Sequence, residues 1–270
     1  NLNPILFADV NVEPTDSSFK KAILFAITNN IDGFVGVGGG SSMDTAKAAN
    51  LYSTYPADFM TYVNAPIGKG KLVPGKLKPM IAIPTTTGTG SETTGTAVFD
   101  YEEMNAKTAI AHRELRPLIG LIDPENVRTI PPNVVACSGL DVLCHGLESY
   151  TAIPFHSRNK PENPGLRPSY QGSNPISDIW SLTAVKMVAE NIYNAVNDPS
   201  NHEAKSQMLL AATYAGIGFG NAGCHLCHGM SYAVSGNVKE FLLNDYPQNP
   251  PLIPHGLSVA ITAPAIFNFT

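Results

Sequence analysis

The chain has 270 residues, 43% of them hydrophobic, a formal charge of −5 and a pI near 5.8, enough apolar material for a full buried core in one large or two ordinary domains. The negative balance argues against a nucleic-acid surface, and no apolar run reaches the roughly 18 residues of a membrane helix. Four cysteines, Cys137, Cys144, Cys224 and Cys227, are too few for a disulfide scaffold and point to free thiols in a reducing compartment.

The sequence opens at Asn1 directly on structured material and closes inside an apolar run over 260–270, so it is expected to belong to a longer polypeptide. Phe19, Ala22, Ile23, Ala26 and Ile27 recur at helical spacing and predict an amphipathic helix over 17–30. A short apolar strand over 33–37 then meets Gly38, Gly39 and Gly40. Ser41 with Asp44 has the form of a capping box opening a second helix that runs through Asn50.

A second strand over 80–83 runs into Thr85, Thr86, Thr87 and Thr89, and a third over 118–122 ends at Asp123-Pro124. Strands separated by helical stretches, with unusual loops at their C-terminal ends, predict a parallel α/β sheet whose ligand binds beyond those ends. Beyond about Val127 the pattern turns helical. Asn174-Pro175 has helix-start chemistry, and Ala184, Val188, Ile192 and Val196 continue an apolar stripe. The expected division is therefore 1–126, α/β, and 127–270, all-α. Between the two halves of the helical part lies a proline-rich insertion over 154–173, expected to be a surface loop, which carries Arg158, Lys160 and Arg167.

Three glycines after a strand, followed by a helix start, place free backbone N–H groups beside a helix N-terminus, a geometry that attracts phosphate. The threonine run beyond the second strand offers hydroxyls to the same ligand. A glycine-rich turn alone is weak evidence, and the G-x-G-x-x-G fingerprint is absent.

In the helical part, Asp141 and His145 stand four residues apart, on one helical face. His228 and His255 are each followed by Gly, and Pro254 precedes His255. One carboxylate and three imidazoles suit ferrous iron or zinc better than magnesium or calcium, although such residues also occur as ordinary partly buried side chains. The run from Cys224 to His228 also matches the C-x-x-C-H pattern of covalent c-type haem attachment, so a non-catalytic metal or haem binder stands as an alternative.

Taken together, Gly38-Gly39-Gly40-Ser41-x-x-Asp44-x-x-Lys47, Pro84-Thr85-Thr86-x-Gly88-Thr89-Gly90-Ser91-Glu92, Gly139-x-Asp141-x-x-x-His145, His228-Gly229-Met230 and Pro254-His255-Gly256 resemble the iron-containing alcohol dehydrogenase family, in family order and over nearly the whole chain. The segments Ala65 to Gly70, Gly172 to Asp178 and Gly218 to Gly223 resemble the branch of that family that exchanges hydride between hydroxyacids and oxoacids.

The resemblance implies a Rossmann-like, dehydroquinate synthase-like N-terminal domain and a helical C-terminal domain holding Fe²⁺, with Zn²⁺ open. It implies metal ligands at Asp141, His145, His228 and His255. It also implies NAD, with NADP open, against Gly39, Gly40, Ser41, Asp44, Thr85, Thr86 and Thr89, extended by Gly38 of the same loop, and Lys107 at a ribose-contacting position. Many members carry a further histidine four residues after the third ligand; this chain has Tyr232 there, a candidate hydrogen-bonding relay. The implied chemistry is hydride transfer from 4-hydroxybutyrate to 2-oxoglutarate through a bound cofactor, in a mitochondrial, homo-oligomeric enzyme. The alternative within the family is a dehydrogenase that oxidises a simple alcohol with free cofactor. Carboxylate substrates call for a cation, for which Arg158 and Arg167 are the candidates by position.

Overall fold

The computed structural model of the chain describes residues 3–164, 167–238 and 240–270. The first helix, α1 (Asp16–Thr28), begins at a reciprocal cap in which Thr15 Oγ1 accepts from the Ser18 N–H while Ser18 Oγ accepts from the Thr15 N–H. Phe19, Ala22 and Ala26 form its buried face. Phe19 packs on Phe99, ring centroids 5.4 Å apart, and both are fully buried, each burial contributing about 1.5–3 kcal/mol.

Strand β1 (Phe34–Gly38) leads into α2 (Gly40–Thr54), and β2 (Met80–Pro84) follows. With β5 (Ile119–Gly120) they form a three-stranded parallel sheet of order β1-β2-β5. Gly38 stands opposite Pro84 in the register, and the Thr85 N–H donates to the Gly38 carbonyl at 3.0 Å. The glycine turn and the threonine loop therefore leave the sheet side by side. That shared exit makes one binding surface out of two sequence segments 45 residues apart.

Two features differ from the sequence reading. The capping box expected of Ser41 and Asp44 is not formed: α2 starts earlier, its N-cap is Gly39, and no side chain caps it. Ser41 Oγ instead accepts from the Glu13 N–H, and the Asp44 carboxylate accepts from Ser91 Oγ at 2.6 Å and the Val98 N–H at 2.9 Å. Asp44 lies in the second turn, where its side chain reaches across to another segment and has no orphan N–H of its own helix within reach.

The second is an antiparallel hairpin, β3 (Thr96–Tyr101) and β4 (Ala106–Ala111), that the reading above lacks. Its connection turns at Asn105, φ +48°, a left-handed conformation that Asn tolerates. The alternation of buried Ala97 and Phe99 with half-buried neighbours carried the strand signal over too few residues to stand out.

The remaining described elements are helical: α3 (Pro132–Thr151), α4 (Pro175–Asn197), α5 (His202–Ala222), α6 (Leu226–Asn237), α7 (His255–Ala260) and α8 (Ala263–Phe269). Helix α4 opens at Asn174, whose side chain accepts from the Ser177 N–H, with Pro175 in the first turn. Helices α3, α4 and α5 share a core that includes Val135, Val142, Ala184, Val188, Met208 and Leu209. The α/β part meets this bundle at Gly90 (φ +59°): a Cβ there would lie 2.9 Å from Gly216 Cα on α5, so the contact needs the hydrogen side chain. The insertion is exposed over most of its described length, and its end is pinned to α5 by the Gln171 and Gly172 N–H groups, which donate to the Asn221 and Ala222 carbonyls. Among the described residues no helix is long and apolar enough to cross a membrane.

Candidate metal centre and cofactor cleft

Helix α3 carries Asp141, His145 and Glu148 at i, i+4 and i+7, hence on one face. His228 enters from the first turn of α6, and His255 is the first residue of α7. Helices α3 and α7 approach so closely that a Cβ on Gly256 would lie 1.9 Å from the Cys137 carbonyl oxygen and 3.0 Å from Asp141 Cβ. Gly256→Ala is therefore expected to push α7 off α3. The measured signs are a melting point lowered by the overpacking cost of about 1–3 kcal/mol and weaker metal binding, because His255 moves with α7. Unchanged binding with unchanged stability contradicts this account of the helix contact.

The three helices bring the four residues together. Asp141 Oδ1 is 3.3 Å from His228 Nε2 and 3.8 Å from His255 Nε2, and Asp141 Oδ2 is 3.8 Å from His145 Nδ1. One ligand atom from each of Asp141, His228 and His255 lies within 4.8 Å of the others. Asp141 Oδ1, His145 Nδ1 and His228 Nε2 are buried without a hydrogen-bond partner. Leaving three such groups unsatisfied in one place would cost several kcal/mol, at about 1–3 kcal/mol each, and a cation removes that cost. The donor set therefore fits a divalent ion of the iron or zinc class.

The electrostatics agree with that fit. Burial pushes His145 down to about 3 against the pull of Asp141, which leaves its imidazole in the neutral, ligating form. Burial alone would raise Asp141, but His145, His255 and His228 hold its carboxyl well below the usual range. His228 is drawn upward: Cys224, Asp141 and Glu148 outweigh its burial, so a proton and a cation compete for Nε2.

Glu148 is a functional residue the sequence reading missed, although it stands only three places after His145. It is fully buried, and its Oε2 accepts from His228 Nδ1. Its Oε1 accepts from the backbone N–H groups of His225, Cys227 and His228, the orphan donors at the start of α6. A carboxylate accepting from Nδ1–H fixes the tautomer with Nε2 free for a metal. Glu148→Gln would set an amide donor against Nδ1 and favour the wrong tautomer. Metal affinity should fall about 10–100-fold, measured by equilibrium dialysis, while Glu148→Asp retains part of it.

A cleft of about 1030 Å³ runs from the glycine turn to this cluster. Gly39, Gly40, Ser41, Thr85, Thr86 and Thr89 line it, and so do Asp141 and His255. A Cβ on Gly40 would lie 2.6 Å from Thr89 Cγ2, so the turn and the threonine loop touch only because Gly40 lacks one. Gly38 (φ +145°) shapes the turn without lining the cleft.

Other candidates lie elsewhere. Asp44 faces inward, as described above. Lys107 is buried on β4 between Glu13 at 2.7 Å and Asp100 at 2.9 Å; of these three, only Glu13 lines the cleft. Tyr232 stands one turn beyond His228, half-buried and not among the residues lining the cleft, and burial raises its hydroxyl. Arg158 and Arg167 are exposed on the insertion and do not line the cleft, so for them to hold a carboxylate the insertion has to close over it. Cys227 is fully buried against Cys144, Val259 and Ile266, which leaves its sulfur no open face for a haem thioether and removes the haem alternative.

Residues 1–124 match the family model for iron-containing alcohol dehydrogenase, and residues 169–270 match that for the Fe-containing alcohol dehydrogenase family, C-terminal. The chain belongs to the iron-containing alcohol dehydrogenase family. Within it, the chain is 58% identical over 272 residues to the mitochondrial hydroxyacid-oxoacid transhydrogenase of Xenopus tropicalis, covering 100% of this chain and 59% of that protein. It is 59% identical over 267 residues to the mouse protein of the same name, covering 98% of this chain and 57% of the relative. The chain thus spans somewhat over half the length of the curated relatives it matches.

Solved oxidoreductases, an iron-containing alcohol dehydrogenase among them, share the fold. A 1,3-propanediol oxidoreductase superposes with a TM-score of 0.79 at 25% identity, over 97% of this chain and 59% of its own. The Thermococcus thioreducens enzyme gives 0.78 at 32% identity, over 96% and 60%. Sulfoacetaldehyde reductase from Bifidobacterium kashiwanohense, solved with NAD⁺, gives 0.78 at 27% identity, over 97% and 61%.

Proposed function

We propose that this chain carries the hydride-transfer site of a metal-dependent hydroxyacid-oxoacid transhydrogenase, with residues 1–126 holding NAD and residues 127–270 holding Fe²⁺. The observation that carries the reading is the convergence of Asp141, His228 and His255, with His145 against Asp141 and with unpartnered buried atoms on Asp141, His145 and His228, beside a cleft that the glycine and threonine loops also line. The likeness to transhydrogenases from frog and mouse supports the choice of substrates, and their mitochondrial naming supports the same location here. Self-association as a homo-oligomer belongs to the same proposal.

A divalent ion held by these four residues supplies Lewis acidity toward a substrate oxygen. The chain's own residues do the rest. Backbone N–H groups at the start of α2, with the hydroxyls of Thr85, Thr86 and Thr89, suit a diphosphate. The cleft then directs the remaining length of a dinucleotide toward Asp141 and His255. Glu148 keeps His228 in the ligating tautomer, and Tyr232, four residues after His228 on α6, is our candidate for the hydroxyl that passes a proton. A cofactor that stays bound serves both half-reactions in turn.

The test follows the label. With Fe²⁺ and bound NAD, 4-hydroxybutyrate deuterated at its carbinol carbon should deliver deuterium to the C2 position of 2-hydroxyglutarate formed from 2-oxoglutarate, without release to added cofactor. Turnover that requires free NAD and accepts a neutral alcohol equally well would favour the plain alcohol dehydrogenase instead. Zinc in place of iron is settled by metal analysis of the active protein.

A further inference from the structure

Beside the Asp141, His228 and His255 set lies a second convergence that shares a member with it. His145, His228 and Cys224 each offer one ligand atom, and these three atoms also lie within 4.8 Å of one another. Cys224 is brought there by the end of α5: Gly223, at φ +99°, reverses the chain, its N–H donating to the Phe219 carbonyl at 2.7 Å. The Phe219 ring in turn stacks on His145 at 4.0 Å. His145 is 5% exposed, and its Nδ1, like His228 Nε2, is buried without a hydrogen-bond partner.

We infer that Cys224, His145 and His228 form a second metal seat, overlapping the first and selective for zinc. The inference rests on the reading above that this cluster binds a metal. One thiolate and two imidazoles are a softer donor set than a carboxylate and imidazoles, and thiolate donors favour zinc over ferrous iron. Binding there forms a Zn–S bond and releases the thiol proton to solvent. The two seats also differ in reach. Asp141 and His255 line the cleft, whereas His145, His228 and Cys224 do not. An ion drawn to the sulfur side is therefore withdrawn from the cleft, and zinc in this seat blocks iron without replacing its chemistry.

X-ray absorption at the zinc edge reads the ligand shell directly. The zinc-loaded chain is expected to show one sulfur at about 2.3 Å beside nitrogen donors at about 2.0–2.1 Å. Cys224→Ser should lose the sulfur and bind zinc at least about tenfold more weakly, with iron affinity changed less. A shell of nitrogen and oxygen alone in the unaltered chain overturns the second seat even if the variant does not fold, and so does a sulfur that persists in Cys224→Ser. Equilibrium dialysis separates the two levels: zinc bound without sulfur leaves the main metal site standing, whereas no bound metal of either kind refutes both.

Discussion

Asp141→Asn is expected to bind its metal more than about a hundredfold more weakly, beyond the 10–100-fold typical of losing a partner outside the ligand shell, and to lose hydride transfer with it. Asp141 is the one anion toward which His145, His228 and His255 all point, at 3.8, 3.3 and 3.8 Å. An amide of nearly the same volume keeps the packing against Gly256 but removes the charge. Because His145, His255 and His228 favour the buried carboxylate in its charged form, its neutralisation should cost stability in metal-free buffer, at most the about 3–5 kcal/mol of a broken buried pair, and leave the chain folded. Loss of binding without loss of fold is the signature of a ligand. A variant that retained iron and activity would show that the ion sits elsewhere; one that unfolded would make Asp141 a structural residue.

What the sequence made legible is what spacing encodes. Asp141 and His145 four apart on a helix, and a glycine run directly after a strand, fix local geometry before any tertiary contact exists. Glu148 was equally within reach: it continues the face of Asp141 and His145, and a buried acid one turn from a candidate ligand is a signal that the metal reading could have used. The hairpin over 96–111 was not, since its strands are short and β4 is buried along most of its length, which blurs the two-residue period. Nor was the placement of Arg158 and Arg167, because an irregular insertion has no periodicity to orient it. In the sequence, Cys224 reads as a free thiol and as part of a haem pattern, not as a ligand beside His145. Its approach to His145 depends on the turn at Gly223, a contact across two helices.

Asp44 gives the sharpest separation between a cofactor residue and a structural one. Its neighbour Lys47 is fully buried, with Nζ donating to Ser91 Oγ at 2.6 Å, to the Thr96 carbonyl at 2.8 Å, and to Asp44 Oδ1 at 3.3 Å. Asp44 in turn binds Ser91 and the Val98 N–H, so the pair ties α2 to the turn after the threonine loop and to β3. Asp44→Ala leaves a buried ammonium hydrogen-bonded only to neutral acceptors, with Glu92 its remaining acidic neighbour, and breaking a buried pair in this way costs about 3–5 kcal/mol. For a chain of this size that lowers Tm by roughly 6–20 °C. If the cost arises from the uncompensated charge, the double variant Asp44→Asn with Lys47→Met should melt higher than Asp44→Ala alone, a non-additivity measurable by a mutant cycle. A cofactor role predicts the opposite pattern: Asp44→Ala would keep its Tm and lose NAD affinity, and the double variant would restore nothing. The inward direction of the Asp44 carboxylate, away from the cleft lined by Gly39, Gly40 and Ser41, favours the structural outcome. The glycine turn depends on it indirectly, because α2, whose N-terminal residues line the cleft, is held at its second turn by this pair.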